Sequence, residues 1–145
     1  MFTMPRYSVR LLALVMLALL APGTAHAEQS VRLLINGRTL NATLADNPAA
    51  RDFHAMLPLR LPLEDFHATE KISDLPKRLS PDGAPDGFSP VRGDLAYYAP
   101  WGNLAIFYQD YSWSSRLIYL GHITSDMSAL ADAKNGDVLV IERAD

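Results

Sequence analysis

The stretch Asp94–Tyr108, DLAYYAPWGNLAIFY, holds two apolar runs on either side of a Pro-Trp-Gly break. The first run, Asp94–Ala99, predicts a β-strand, Pro100–Asn103 predicts a tight turn, and Leu104–Tyr108 predicts the returning strand. An apolar run this short and uninterrupted is typical of a strand that is buried on both faces. We therefore expect this hairpin to lie in the middle of a β-sheet.

Further strands are predicted on both sides of this hairpin. Asn36-Gly37 separates two alternating segments and suits a two-residue type I′ turn, because both residues tolerate a positive φ. Leu59–His67 alternates apolar and polar residues until the pattern slips, and a bulge near Glu64 would repair it. Arg116–Ile123 predicts another strand, and the chain ends in a turn and a closing strand.

Two short helices interrupt the predicted strands. Asn47 is a good N-cap, Pro48 is a good first helical residue, and Pro58 ends this helix. The second helix, within SDMSALADA, is expected to be capped by Ser125. Short strands with two brief helices predict a mainly β fold of one domain, a closed or nearly closed β-barrel.

The segment Ala68–Gly93 is rich in residues that break regular structure, with four Pro and three Gly. It is predicted to be one long connection without strands or helices. Such a connection is either a binding loop or a surface excursion that its own apolar residues hold down. The sequence favours neither alternative.

The first 27 residues have the pattern of a secretory signal peptide. Arg6 and Arg10 precede the apolar run Leu11–Leu20, and the small residues Ala25 and Ala27 follow it. The run is too short to span a bilayer, which needs about 20 apolar residues. We therefore expect residues 1–27 to be a signal peptide and residues 28–145 to be the exported domain, periplasmic or secreted.

The charge of the expected exported domain excludes some partners. Without Arg6 and Arg10, the 13 basic residues fall to 11 against 16 acidic ones, a net charge of −5. A weakly acidic chain without a basic run is poorly suited to bind nucleic acid or an anionic membrane. With no Cys in the chain, thiol catalysis, thiolate metal sites and disulfides are excluded.

One candidate site is FHATEK, where a strand end meets the long connection. His67, Glu70 and Lys71 are groups that bind a polar ligand or exchange a proton. The alternative is a solvated strand end with a Glu–Lys ion pair. His67 and Glu70 alone are too few to predict a metal site, because such a site needs about three or four ligands.

The other candidate site is aromatic. Seven of the chain's thirteen aromatic residues lie between Tyr97 and Trp113. Strand alternation sends Tyr97 and Tyr98 to opposite faces, so only one of them fills the core. We expect Tyr98 and Trp101, with Trp113, to line an apolar pocket. The alternative is simple packing of the core and turn.

Three segments carry a family resemblance. LADNPAARDF, TEKI and YYAPWGNLAIFY, in this order, resemble stretches of the small bacterial cyclophilin-like proteins. The resemblance covers nearly the whole chain after residue 27, and the last segment is the most specific. It implies a closed barrel of about eight strands with a helix at each end.

The resemblance does not by itself imply cyclophilin activity. Cyclophilins isomerise X-Pro bonds with an Arg that follows Phe-His, and with a Gln, a Trp and a His along the groove. Trp113 is the candidate for the groove Trp, but the other matching positions carry different residues. These are Ala68 for the Arg, Leu104 or Ala105 for the Gln, and Arg116 or Leu117 for the His.

The sequence therefore favours an exported, non-catalytic binding module for a small ligand or peptide segment. The alternative is a weak or divergent prolyl isomerase, and a third is an enzyme of another class that uses His67 and Glu70. We expect no cofactor, no metal, no nucleic-acid partner and no stable membrane insertion after processing. The candidate ligand-binding residues are His67, Glu70, Lys71, Tyr98, Trp101 and Trp113.

Processing at the predicted site is directly testable. We expect the exported protein to begin at Glu28, because the small residues at Ala25 and Ala27 suit a signal peptidase. N-terminal sequencing of the protein from periplasm or medium measures this. A chain that keeps Met1 in a membrane fraction would contradict the signal-peptide interpretation.

Overall fold

The computed structural model describes residues 2–3 and 28–144. The predicted apolar run and cleavage site lie outside the described residues. No helix in the described part of the chain has the length and apolar character needed to cross a bilayer. The elements are β1 (Gln29–Ile35), β2 (Arg38–Leu44), α1 (Pro48–Ala55), β3 (Leu59–Pro62), β4 (Glu64–Phe66), β5 (Glu70–Asp74), β6 (Gly87–Phe88), β7 (Asp94–Tyr98), β8 (Asn103–Phe107), β9 (Ser114–Ser115), β10 (Leu117–Ile123), α2 (Ser128–Ala131) and β11 (Val138–Arg143).

The main sheet curls back on itself. Its strand order is β3-β11-β1-β2-β10-β7-β8-β5-β4, and every pair is antiparallel. The two strands at its ends, β3 and β4, follow each other in the chain with only Leu63 between them. The sheet is therefore a nearly closed barrel in which β3 and β4 act as one bent strand, and the predicted mainly β, nearly closed barrel is confirmed.

The helices lie at opposite ends of the barrel. At the β1–β2 turn, Arg38 donates a hydrogen bond to Ser128 of α2. At the other end of β1, Arg143 of β11 pairs with Val31 and donates to the carbonyl of His54 in α1. Buried residues of both helices join the same core as the barrel interior.

Two local predictions are confirmed by the backbone geometry. Asn36 and Gly37 have φ of 50° and 73°, as the type I′ turn between β1 and β2 requires. Asn47 caps α1, its side-chain oxygen accepting from the backbone N–H of Ala50 at 2.8 Å, with Pro48 in the first turn. Phe53 of this helix is fully buried.

The predicted long connection is wrong over its first part. Glu70–Asp74 forms β5, which pairs with β4 on one side and β8 on the other. Its alternation is not apparent in the sequence because the inward-facing residues, Lys71 and Ser73, are polar although both are buried. The remaining connection contains β6, which pairs with β9 in a separate two-stranded sheet.

Two smaller predictions are also wrong. No bulge is found near Glu64-Asp65, and the alternation does not slip there. Asp65 lies opposite Lys71 and, like Leu61 and Leu63, it faces inward, where its carboxylate accepts from the Lys71 ammonium at 3.0 Å. Ser125 does not cap α2, since its hydroxyl accepts from Asn41.

The hairpin of β7 and β8 is buried on both faces, as predicted. Leu104 and Ile106 of β8 face the barrel interior, whereas Ala105 and Phe107 face outward. The outward residues join Leu117 of β10 in a second, smaller cluster outside the barrel. This outer cluster forms the floor of the candidate site.

Removing a side chain from the barrel interior tests this arrangement. Ile106→Ala should lower the free energy of unfolding by about 2–5 kcal/mol, because the closed interior cannot collapse around the gap. Val138→Ala, on the exposed part of β11, is the control and should cost about 0.5 kcal/mol or less. Urea unfolding measures both, and equal effects would contradict a packed interior at Ile106.

Candidate functional site

A cavity of about 460 Å³ opens on the outer face of the barrel. This volume lies within the range of small-ligand sites, roughly 300–1,000 Å³. Its lining comes from the β4–β5 turn, the β7–β8 turn, and the segment that leads into β10. The lining residues are Phe66, His67, Thr69, Glu70, Tyr98, Trp101, Phe107, Tyr111, Ser112, Trp113, Ser114, Ser115 and Leu117.

Strand pairing places Glu70 over the cavity floor. Glu70 of β5 lies directly opposite Phe107 of β8, and residues opposite each other project from the same face. Phe107 is almost fully buried and lines the bottom of the cavity. The carboxyl of Glu70 therefore stands beside an aromatic ring on the outer face of the barrel.

Three aromatic rings form one wall. Trp101 lies in the β7–β8 turn, where Gly102 has a φ of 69° and its N–H donates to the carbonyl of Tyr98 at 2.9 Å. The Trp101 ring is perpendicular to Tyr98 at 5.3 Å and to Phe66 at 5.7 Å between ring centroids. Trp101 is 58% exposed, so the wall faces solvent.

The β4–β5 turn supplies the next part of the rim. His67 and Ala68 have φ of 53° and 52°, which turns the chain back within three residues. The imidazole of His67 stacks on Phe66, with ring centroids 4.0 Å apart. His67 thus lies beside the aromatic wall.

The opposite wall is Trp113, which precedes β9. β9 is held in place by its pairing with β6, Gly87 to Ser115 and Phe88 to Ser114. A Cβ at position 87 would collide with the carbonyl of Ser114 and approach the indole of Trp113. Glycine at position 87 is therefore needed for this wall to pack so closely.

The electrostatics of the cavity centre on Glu70. Burial raises the pKa of the Glu70 carboxyl from 4.5 to about 7, because the charged form loses water. Within residues 28–144, no hydrogen bond or ion pair compensates this carboxyl. Glu70 is thus a desolvated acid without a protein partner.

Lys71 does not line the cavity. The alternation of β5 turns it to the barrel interior, where its ammonium donates to Asp65 at 3.0 Å and to the Ala133 carbonyl at 2.7 Å. The hydroxyl of Tyr108 also donates to Asp65, and mainly this bond lowers the pKa of the Asp65 carboxyl. Lys71 therefore joins β4, β5 and the end of α2, and its role is structural.

The structure brings five of the six predicted residues around one cavity: His67, Glu70, Tyr98, Trp101 and Trp113. Phe107 belongs to the returning strand that was predicted to be buried on both faces; it is buried, but it is also part of the lining. The local sequence carries no signal for this second role, since it depends on the pairing with Glu70. Among the described residues, no group of three His, Asp or Glu side chains is arranged to hold a metal ion.

The pKa of Glu70 predicts a pH dependence of stability. Between pH 4.5 and about 7 the folded chain keeps a proton that the unfolded chain has lost. The stability contribution of Glu70 is therefore fully present below pH 4.5 and is lost as pH rises through about 7. Glu70→Gln should remove this decline, as measured by unfolding of both proteins across that range. An identical pH profile for the two proteins would contradict the shifted pKa.

Comparisons with known proteins agree on the fold. Residues 33–142 match the cyclophilin-like family. The solution structure of a hypothetical protein from Archaeoglobus fulgidus is similar, with a TM-score of 0.62 and 20% sequence identity. This match covers 84% of the present chain and 99% of the archaeal one, and at this identity it shows the fold alone. Curated proteins contain no match. Because the family match spans most of the chain, the protein belongs to the cyclophilin-like family.

Proposed function

We propose that this chain is an exported binding module that takes a small ligand or a peptide segment in the cavity on its outer face. The observation that carries the proposal is the exposure of three aromatic residues around one cavity. Trp101, Tyr111 and Trp113 are 58%, 47% and 57% exposed, and all three line it. Exposed aromatic groups clustered at a concave site are typical of ligand recognition.

Packing alone does not account for this arrangement. Phe107 and Leu117 already seal the outer face of the barrel beneath the cavity. The rings of Trp101 and Trp113 stand above this floor and remain more than half exposed. Their apolar surface is available to a ligand and contributes little to the core.

A binding role is favoured over catalysis by the groups that are present. The hydroxyl of Ser114 donates to the Ser112 carbonyl, so it is not activated by His67. His67 and Glu70 share no hydrogen bond among the described residues. No nucleophile in the described lining is paired with a base, as covalent catalysis requires.

Export is proposed from the N-terminal sequence. Arg6 and Arg10, the apolar run Leu11–Leu20 and the small residues before Glu28 support it. In the periplasm or medium, a cysteine-free barrel needs no disulfide chemistry to fold.

A fragment screen tests the proposed binding site. We expect small aromatic compounds found by NMR screening to shift the indole N–H signals of Trp101 and Trp113. Trp101→Ala should weaken binding by about tenfold or more, because it removes a wall of the cavity. Tyr119→Ala is the matched control, since Tyr119 is exposed but lies outside this cavity. Equal weakening by both substitutions would contradict the site.

The isomerase alternative predicts a different result. Stabilising the twisted X-Pro bond needs a cation, but Ala68 occupies the matching position and no Arg or Lys is part of the described lining. In a proline-peptide assay we therefore expect a rate close to the uncatalysed exchange, which takes tens to hundreds of seconds. Acceleration comparable to that of an ordinary cyclophilin would overturn the non-catalytic assignment.

A further inference from the structure

The described lining of the cavity contains an acidic residue but no Lys or Arg. Glu70 is the acidic residue among its lining, and the other titratable groups there are His67, Tyr98 and Tyr111. The nearest basic residue along the chain, Lys71, faces the barrel interior and is bound to Asp65. A ligand that enters the cavity therefore meets a carboxylate without a counterion.

The Glu70 carboxylate also has unused hydrogen-bonding capacity. It is half-buried, and no donor within residues 28–144 reaches it. A desolvated carboxylate without a donor is unfavourable, and a charged N–H donor is the strongest partner for it. The occupant that best complements this group carries a positive charge and N–H bonds.

The aromatic wall favours the same kind of occupant. Phe66, Trp101 and Tyr98 meet at angles of 86° and 81°, so their rings form adjacent, nearly perpendicular surfaces. The faces of aromatic rings are electronegative and attract cations within about 6 Å. Carbon atoms next to a cationic nitrogen also pack well on such rings.

We propose that the cavity binds an organic ammonium group, with Glu70 as its counterion and the rings of Trp101, Tyr98 and Phe66 around it. This inference rests on the proposed binding function and names the chemical class of the ligand. An anionic ligand is disfavoured by Glu70, and a neutral one leaves the carboxylate uncompensated. A bare metal ion is disfavoured because one carboxylate provides too few ligands.

Three probes of nearly equal shape and different charge test the proposal: benzylamine, benzyl alcohol and benzoate. At pH 8, we expect benzylamine to bind the exported domain about tenfold more tightly than benzyl alcohol, and benzoate to bind most weakly. Glu70→Gln should remove most of the preference for the amine, leaving the smaller part that comes from the aromatic rings. Glu64→Gln, an exposed acid outside the cavity, is the control and should leave it intact. Isothermal titration or NMR titration measures the affinities, and circular dichroism shows that each variant is folded.

The pH dependence provides a second, independent readout. Between pH 8 and pH 5.5 the preference for benzylamine should decline in the wild type, because protonation neutralises Glu70. The decline should be smaller in Glu70→Gln. N-acetyl-lysine methylamide, tested in the same way, distinguishes the source of the ammonium group. Glu70-dependent binding of this compound assigns it to a peptide lysine, and binding of benzylamine alone assigns it to a free amine. Both results support the proposal.

Other outcomes separate the inference from the proposed function. Equal affinities for benzylamine and benzyl alcohol would overturn the ammonium assignment and leave the binding module in place. If none of the three probes binds but the fragment screen finds neutral ligands at Trp101, the ammonium assignment is likewise overturned and the binding module is retained. If the fragment screen also finds no ligand, the proposed function fails together with the inference.

Discussion

The antiparallel pairing of β5 with β8 is the interaction on which both the barrel and the cavity depend. It runs from Glu70 opposite Phe107 to Asp74 opposite Asn103, and β5 also pairs with β4. Because β4 continues β3 past Leu63, this pairing brings the two ends of the sheet together. Without β5, the sheet would end at β8, and the outer face would lose its acidic residue.

The alternation of β5 places adjacent residues in two different environments. Lys71 points inward, where Asp65 and the Ala133 carbonyl satisfy its ammonium and tie α2 to the barrel. Glu70 points outward, where aromatic groups remove water and the described residues offer no donor. A desolvated carboxylate lowers stability in the absence of a ligand, and such local costs are common at binding sites.

Local signals predicted the parts of the fold that local chemistry determines. The Asn36-Gly37 turn, the Asn47 cap and the doubly buried hairpin around Trp101 each depend on residues close together in sequence, and all three are confirmed. β5 was missed because Lys71, a polar residue that faces the interior, finds its partners only after the barrel closes. Tyr98, Trp101 and Trp113 were predictable from the concentration of aromatic residues between Tyr97 and Trp113. The role of Phe107 and the orientation of Lys71 were not, since both follow from strand register.

The central claim is that the Lys71 ammonium stabilises the fold, whereas the Glu70 carboxylate on the opposite face of β5 destabilises it. One stability measurement tests this most directly. The free energies of unfolding of Glu70→Met and Lys71→Met are compared with that of the wild type at pH 8. Glu70→Met should be more stable than the wild type, because it removes a half-buried charge that has no partner among the described residues. Lys71→Met should be less stable by about 1–3 kcal/mol, because it leaves the Ala133 carbonyl without this donor and Asp65 without its counterion. A destabilised Glu70→Met, or an unaffected Lys71→Met, would contradict this account of the two residues.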